Sequence, residues 1–138
     1  EHTMNFETFF GFTKIIVDDL DRIAAFYEQA MGFRQFQRVH DNVAGEPMEE
    51  IILVHGEGMG QSVPLVVWKW PNRPAPAASD AILGFQTKDV DALVAKVVAA
   101  GGSVVDAPHD KPEHGVRVAF ATDPDGRLLE LVQMLSAP

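Results

Sequence analysis

The stretch Phe12–Gly32, FTKIIVDDLDRIAAFYEQAMG, is answered later in the chain by Ile82–Gly102, ILGFQTKDVDALVAKVVAAGG. Asp19-Leu20-Asp21 matches Asp89-Val90-Asp91, Ile23 matches Leu93, Tyr27 matches Val97 and Gly32 matches Gly102. Each copy opens on an apolar alternation, Phe12–Val17 or Ile82–Thr87, which has the period of a strand. Each continues into a helix. Asp19 and Asp89 are placed to accept the free amide protons of the first turn. Ile23, Phe26, Tyr27 and Ala30 in one copy, and Leu93, Val94, Val97 and Ala100 in the other, recur at helical spacing. Gly32 and Gly102 follow, suited to a left-handed exit.

Strand-like runs come after each helix: Phe33–Val39, Ile51–His55 and Pro64–Trp70, then Ser103–Val105, Val116–Thr122 and Leu128–Met134. Asp123-Pro124-Asp125-Gly126 joins the last two and carries a turn signal. Pro71–Ala78 is rich in proline and alanine and reads as a semi-rigid linker. The chain is therefore expected to form two βαβββ modules in tandem, an α+β fold whose curved mixed sheet surrounds a cavity. The expected domain covers 5–138, with module 1 at about 10–70, the linker at 71–80 and module 2 at about 81–135. Neither module is large enough to bury a comfortable core alone, so the two are expected to pack together.

Composition narrows the function. The chain has 138 residues, 46% hydrophobic and 22% charged, as a globular domain has. Eleven Lys and Arg against 20 Asp and Glu leave a formal charge of −9. That field repels phosphate backbones and anionic bilayers, and the cations are scattered singly, so neither nucleic acid nor membrane is an expected partner. Cysteine is absent, which removes disulfides, thiolate metal sites and thiol nucleophiles. The first residues carry no basic region followed by an apolar run. Met4 reads as a natural start behind a cloning remnant, Glu1–Thr3, and the expected location is cytoplasmic.

The order strand, V-x-D-L, helix with Phe26-Tyr27, Gly32-Phe33, then Asp89-Val90-Asp91-Ala92, Gly101-Gly102 and the closing Asp123-Pro124-Asp125-Gly126-Arg127-Leu128-Leu129-Glu130-Leu131 resembles the vicinal oxygen chelate superfamily. That superfamily includes glyoxalase I, extradiol dioxygenases, fosfomycin-resistance enzymes and bleomycin-binding proteins. The resemblance runs from about Phe10 to Gln133 and also implies a homodimer. Metal-using members carry His or Glu at four inward positions, on the first and last strand of each half. Carried over by motif, these positions are Phe12, Val66, Ile82 and Glu130. Phe, Val and Ile offer a divalent ion nothing, so no metal and no cofactor are expected.

Strand alternation extends this wall. The expected ligand-binding residues are Phe12, Lys14, Val66, Trp68, Trp70, Ile82, Gln86 and Met134. They are mostly apolar, with a few polar groups for orientation, as small-molecule sites are. Trp68 and Trp70 suit a pocket or a dimer interface equally in kind. Two main readings follow. One is a binding protein for a partly apolar or aromatic small molecule. The other is a metal-independent lyase or isomerase, with Glu130 as general base, Lys14 stabilising an anion and His114 assisting. A metal-dependent glyoxalase I-like lyase or dioxygenase is the third. Lys14 is the expected cation for Glu130, while Glu28, Glu49, Glu50 and Glu57 read as solvated surface. The glycines of Gly56-Glu57-Gly58-Met59-Gly60 lead into a strand instead of a helix and form no dinucleotide site.

Overall fold

A computed structural model describes residues 6–135. The outermost residues of the expected domain, and Met4 with the segment before it, lie outside them. In chain order the elements are β1 (Thr13–Ile16), α1 (Leu20–Met31), β2 (Arg34–Val43), β3 (Glu46–Val54), β4 (Leu65–Lys69), β5 (Leu83–Gln86), α2 (Val90–Ala99), β6 (Ser103–Lys111), β7 (Val116–Thr122) and β8 (Leu128–Met134). They build two open four-stranded mixed sheets of the same plan, β1-β4-β3-β2 and β5-β8-β7-β6. In each, the first strand runs parallel to the last of its module, and the other pairings are antiparallel. The two modules are present as the repeat predicts, with each half keeping its own hydrogen-bonded sheet.

The helices begin where their caps place them. Asp19 accepts the Arg22 amide at 3.1 Å and Asp89 the Ala92 amide at 3.1 Å. Gly32 closes α1 in the left-handed region, φ 74°. The second helix differs from expectation. Its left-handed residue is Gly101, φ 110°, and Gly102 is needed for another reason. A Cβ on Gly102 would lie 2.3 Å from the Thr122 carbonyl oxygen and 2.6 Å from Val97 Cγ1. Close approach of α2's end to β7, not backbone twist, requires glycine there.

Three strands run longer than the sequence pattern suggests. β2 and β3 continue to a tight hairpin at Ala44 (φ 51°) and Gly45 (φ 84°), both left-handed, as a two-residue hairpin of this hand requires. The usual Asn-Gly signal is replaced by Ala-Gly, which hid the turn. β6 runs on to Lys111, so the expected loop before Gly115 shrinks to a short 3₁₀ turn at Pro112–His114.

One core spans both modules. Ile15, Val17, Ile51, Leu53, Leu65 and Val67 from the first sheet meet Ala119, Ala121, Leu129 and Leu131 from the second, with both helices filling the space between. A buried polar network reinforces the junction. Tyr27 on α1 donates its hydroxyl to Asp123 Oδ2 at 2.7 Å, and Arg127 Nη1 donates to the same oxygen at 2.7 Å. Asp123 Oδ1 accepts the Asp125 and Arg127 amides at 2.9 and 3.0 Å. Tyr27, Asp123 and Arg127 are 0%, 1% and 6% exposed. A buried carboxylate is tolerated when its oxygens are filled in this way. Burial, with the Asp123 carboxylate beside it, raises the Tyr27 phenol far above its ordinary value. The Asp-Pro-Asp-Gly turn thus ties module 2 to the helix of module 1.

Candidate functional site

Core side chains fix which face of each sheet is turned away from the helices. Ile15 and Val67 lie in the core, so their neighbours Lys14, Val66 and Trp68 project from the opposite face. In the same way Leu129 and Leu131 are buried, and Glu130 projects from the opposite face of β8, paired in register with Gly84 and Phe120. Phe12 and Ile82 sit immediately before β1 and β5, 50% and 58% exposed.

The first sheet carries a chain of aromatic and charged groups. Trp68 and Trp70 meet edge to face, ring centroids 5.0 Å apart. The Lys14 ammonium lies 4.4 Å from the Trp68 ring centroid and 5.5 Å from that of Phe12, within cation–π range of both. Arg73 caps Trp70 at 4.2 Å and is held by Glu46 at 2.8 Å. Both indoles are half-buried within the single chain. Trp68 Nε1 is buried and meets no acceptor among the described residues, although an indole N–H removed from water ordinarily finds one.

Lys14 does not reach Glu130. It donates to Glu50 Oε1 at 2.8 Å instead. Sheet register explains this. Lys14 pairs with Val66, Val66 with Ile52 and Trp68 with Glu50, so Lys14 and Glu50 share one face of one sheet. Glu130 belongs to the other sheet, and no hydrogen bond or ion pair to it occurs among the described residues. Glu50, expected on the solvated surface, is only 8% exposed. The signal was available, since Ile51 and Leu53 mark the helix-facing positions of β3 and put Glu50 on the other side. Glu46 and Arg73 were missed because the hairpin and the linker's path were not legible.

The remaining expected residues are dispersed. Gln86 and Met134 are exposed at strand ends, and His114 is exposed on the 3₁₀ turn, without a hydrogen bond or ion pair among the described residues. Ile82 and Gly84 line a separate cavity of about 270 Å³ at the seam between the modules, with Thr13, Phe33, Leu65 and Phe85. His55, given no role from the sequence, stacks on Phe33 at 4.0 Å and contacts the Met31 carbonyl at 2.8 Å.

At the four positions carried over by motif, Phe12, Val66, Ile82 and Glu130, the donor set is the single carboxylate of Glu130. Among the described residues no three His, Cys, Asp or Glu gather where they could share an ion. These residues do not fit the divalent centre that the family's metal-using members carry.

Fold, module repeat and closing motif together define a βαβββ-tandem protein with an open sheet face as its candidate site. The model of the Glyoxalase/Bleomycin resistance protein/Dioxygenase superfamily matches residues 7–131, and the chain belongs to that superfamily. A lactoylglutathione lyase of Arabidopsis thaliana is 29% identical over 127 residues, covering 88% of this chain and 43% of the plant protein. The chain thus spans less than half the length of that relative. Glyoxalase I from Zea mays has a similar fold, with TM-score 0.74 and 22% identity over 91% of this chain and 44% of the maize chain. A glyoxalase family protein from Bacillus cereus gives TM-score 0.77 at 16% identity, covering 92% of this chain and 94% of that one. No helix among the described residues is long and apolar enough to cross a membrane.

Proposed function

We propose that this chain is a small-molecule-binding member of the superfamily, taking a partly aromatic ligand on the sheet face of module 1 without a metal. The observation that carries this reading is Trp68. Its indole is half-buried beside Trp70, and its buried N–H meets no protein acceptor among the described residues. Leaving such a donor unpaired costs about 1–3 kcal/mol, and a ligand acceptor recovers that cost by displacing the side chains that cover the N–H. The lyase chemistry named for the plant relative would require a donor set that Phe12, Val66 and Ile82 do not supply. The metal-independent alternative loses its proposed anion-stabilising partner, because Lys14 is engaged by Glu50.

A homodimer belongs to the same proposal. Phe9 and Phe10 are 52% and 73% exposed ahead of β1, an apolar surface that a second copy can cover. Light scattering during gel filtration measures this directly.

The binding reading is tested with 2-acetylnaphthalene, a neutral planar probe bearing one carbonyl acceptor. Saturable quenching of tryptophan emission is expected, weakened by about 1–3 kcal/mol in Trp68→Ala. Quenching that is unsaturable, or unchanged in Trp68→Ala, contradicts the assignment of the site.

A further inference from the structure

We propose that Glu50, Phe12 and Trp68 form a recognition site for a primary ammonium group, and that Lys14 occupies this site as an internal stand-in until a ligand displaces it. The inference rests on the module 1 face being the binding face and names the polar group its ligand carries.

The geometry is that of an occupied cation site. An ammonium sits between two aromatic faces, 4.4 Å from the Trp68 centroid and 5.5 Å from that of Phe12. Its N–H reaches a carboxylate oxygen at 2.8 Å. Aromatic faces around a carboxylate are a general solution for holding an organic cation, because the ring quadrupoles and the formal charge act together. The two ends of the pair differ in mobility. Glu50 is anchored mid-strand in β3 and 8% exposed, whereas the Lys14 side chain is 35% exposed on a flexible four-carbon stem.

Burying the Glu50 carboxylate costs desolvation, which a neighbouring cation offsets. An incoming ammonium donating to the same Oε1 replaces Lys14 with no change in site charge, and Lys14 swings to solvent. That exchange avoids the desolvation cost that would oppose an anion or a neutral head beside Glu50. Trp70, stacked edge to face on Trp68, extends the aromatic wall toward the ligand's body. The chain's net charge of −9 favours arrival of cations in the same sense. The ligand class is therefore an aromatic or apolar primary amine.

Three probes of one size separate the possibilities: phenethylammonium, its neutral counterpart 2-phenylethanol and the anion phenylacetate. Wild-type protein should bind phenethylammonium in preference to the other two, measured by tryptophan quenching. Lys14→Ala, which removes the internal occupant, should tighten phenethylammonium by about tenfold or more, since the competent site no longer has to be vacated. Lys14→Ala with Glu50→Gln should lose the preference for the amine. In wild-type protein, needing no variant to fold, the Lys14 methylene protons should leave the ring-current field of Trp68 as phenethylammonium binds.

Equal affinity for amine and alcohol in wild type, or preference retained in the Lys14→Ala, Glu50→Gln double variant, overturns the inference. So does binding that leaves the Lys14 resonances in place. Saturable 2-acetylnaphthalene binding alongside such a result means that only the ammonium assignment fails. Failure of both probe sets removes the binding reading as well.

Discussion

Modules 1 and 2 share one architecture and differ on one face. Towards the helices they are interchangeable in kind: Ile15, Ile51, Leu53 and Val67 in one, Ala119, Ala121, Leu129 and Leu131 in the other. Away from the helices module 1 carries Lys14, Glu50, Trp68 and Trp70 in contact, whereas module 2 carries Glu130 with Gly84 and Phe120 as its register partners. A duplicated fold must keep the face that buries its core and is free to change the other. Module 2 carries the lone carboxylate Glu130 on that face, whereas module 1 carries an indole pair beside the bonded Lys14 and Glu50. The modules also differ at their junction. Tyr27 of α1 meets the Asp123 turn, where Arg22 of the same helix also donates to Asp125 and to the Pro124 carbonyl, while the counterpart of Tyr27 in α2 is Val97.

Asp123, the buried member of this junction, is where a substitution costs most. Asp123→Ala leaves the Arg127 guanidinium buried without its carboxylate and the Tyr27 hydroxyl without its acceptor. A loss of about 3–5 kcal/mol is expected in denaturant unfolding. A loss under 1 kcal/mol would mean that the buried Tyr27–Asp123–Arg127 network contributes little to holding the modules together. Next is Gly102→Ala, whose Cβ would collide with the Thr122 carbonyl and Val97. Backbone must shift, at about 1–3 kcal/mol. The matching change Gly32→Ala meets no atom within 4 Å and suffers only from its left-handed φ of 74°, so the two glycines should separate by mechanism. Structures of both variants check this, with displacement of β7 in the first only.

Tyr27→Phe should cost about 1.5–3 kcal/mol, as a hydrogen bond to a charged group is lost. Tyr27 is the only tyrosine, which makes its titration readable. Its folded value is raised, so its contribution to stability is complete below the ordinary phenol value and declines as pH rises above it. Phenolate absorbance should therefore appear only with unfolding. Ionisation in the folded protein would contradict the buried network.

The smallest effect lies on the surface of module 2. Arg117 hydrogen-bonds Asp91 and holds its carboxyl below the ordinary carboxylate value. A lowered folded value stabilises above the unfolded value and is lost as pH falls through the folded one. The stability difference between wild type and Asp91→Asn should be slight, present near neutrality and gone in acid. A difference that grows in acid would reverse the sign.

How far the sequence could be read follows the same division. The repeat exposes the helices, their aspartate caps and the strand faces, because burial imposes a period on residues whatever their partners. Contacts between non-neighbouring strands leave no period. Glu50 pairs with Lys14 because β3 lies beside β4 and β4 beside β1, an order that needs the topology. Ala44-Gly45 hides its hairpin behind an alanine, and Gly102 resembles a helix exit although close packing is its reason. The Tyr27–Asp123 bond joins segments whose proximity no local pattern carries.

On the proposed reading Glu130 of module 2 lacks the partners a divalent ion needs, and recognition falls to the aromatic face of module 1. Elemental analysis of untagged protein after gel filtration tests this most directly. The expected result is no stoichiometric divalent metal, in wild type and Glu130→Gln alike. Near one equivalent of zinc, nickel, iron or manganese in wild type, lost in Glu130→Gln, would contradict it.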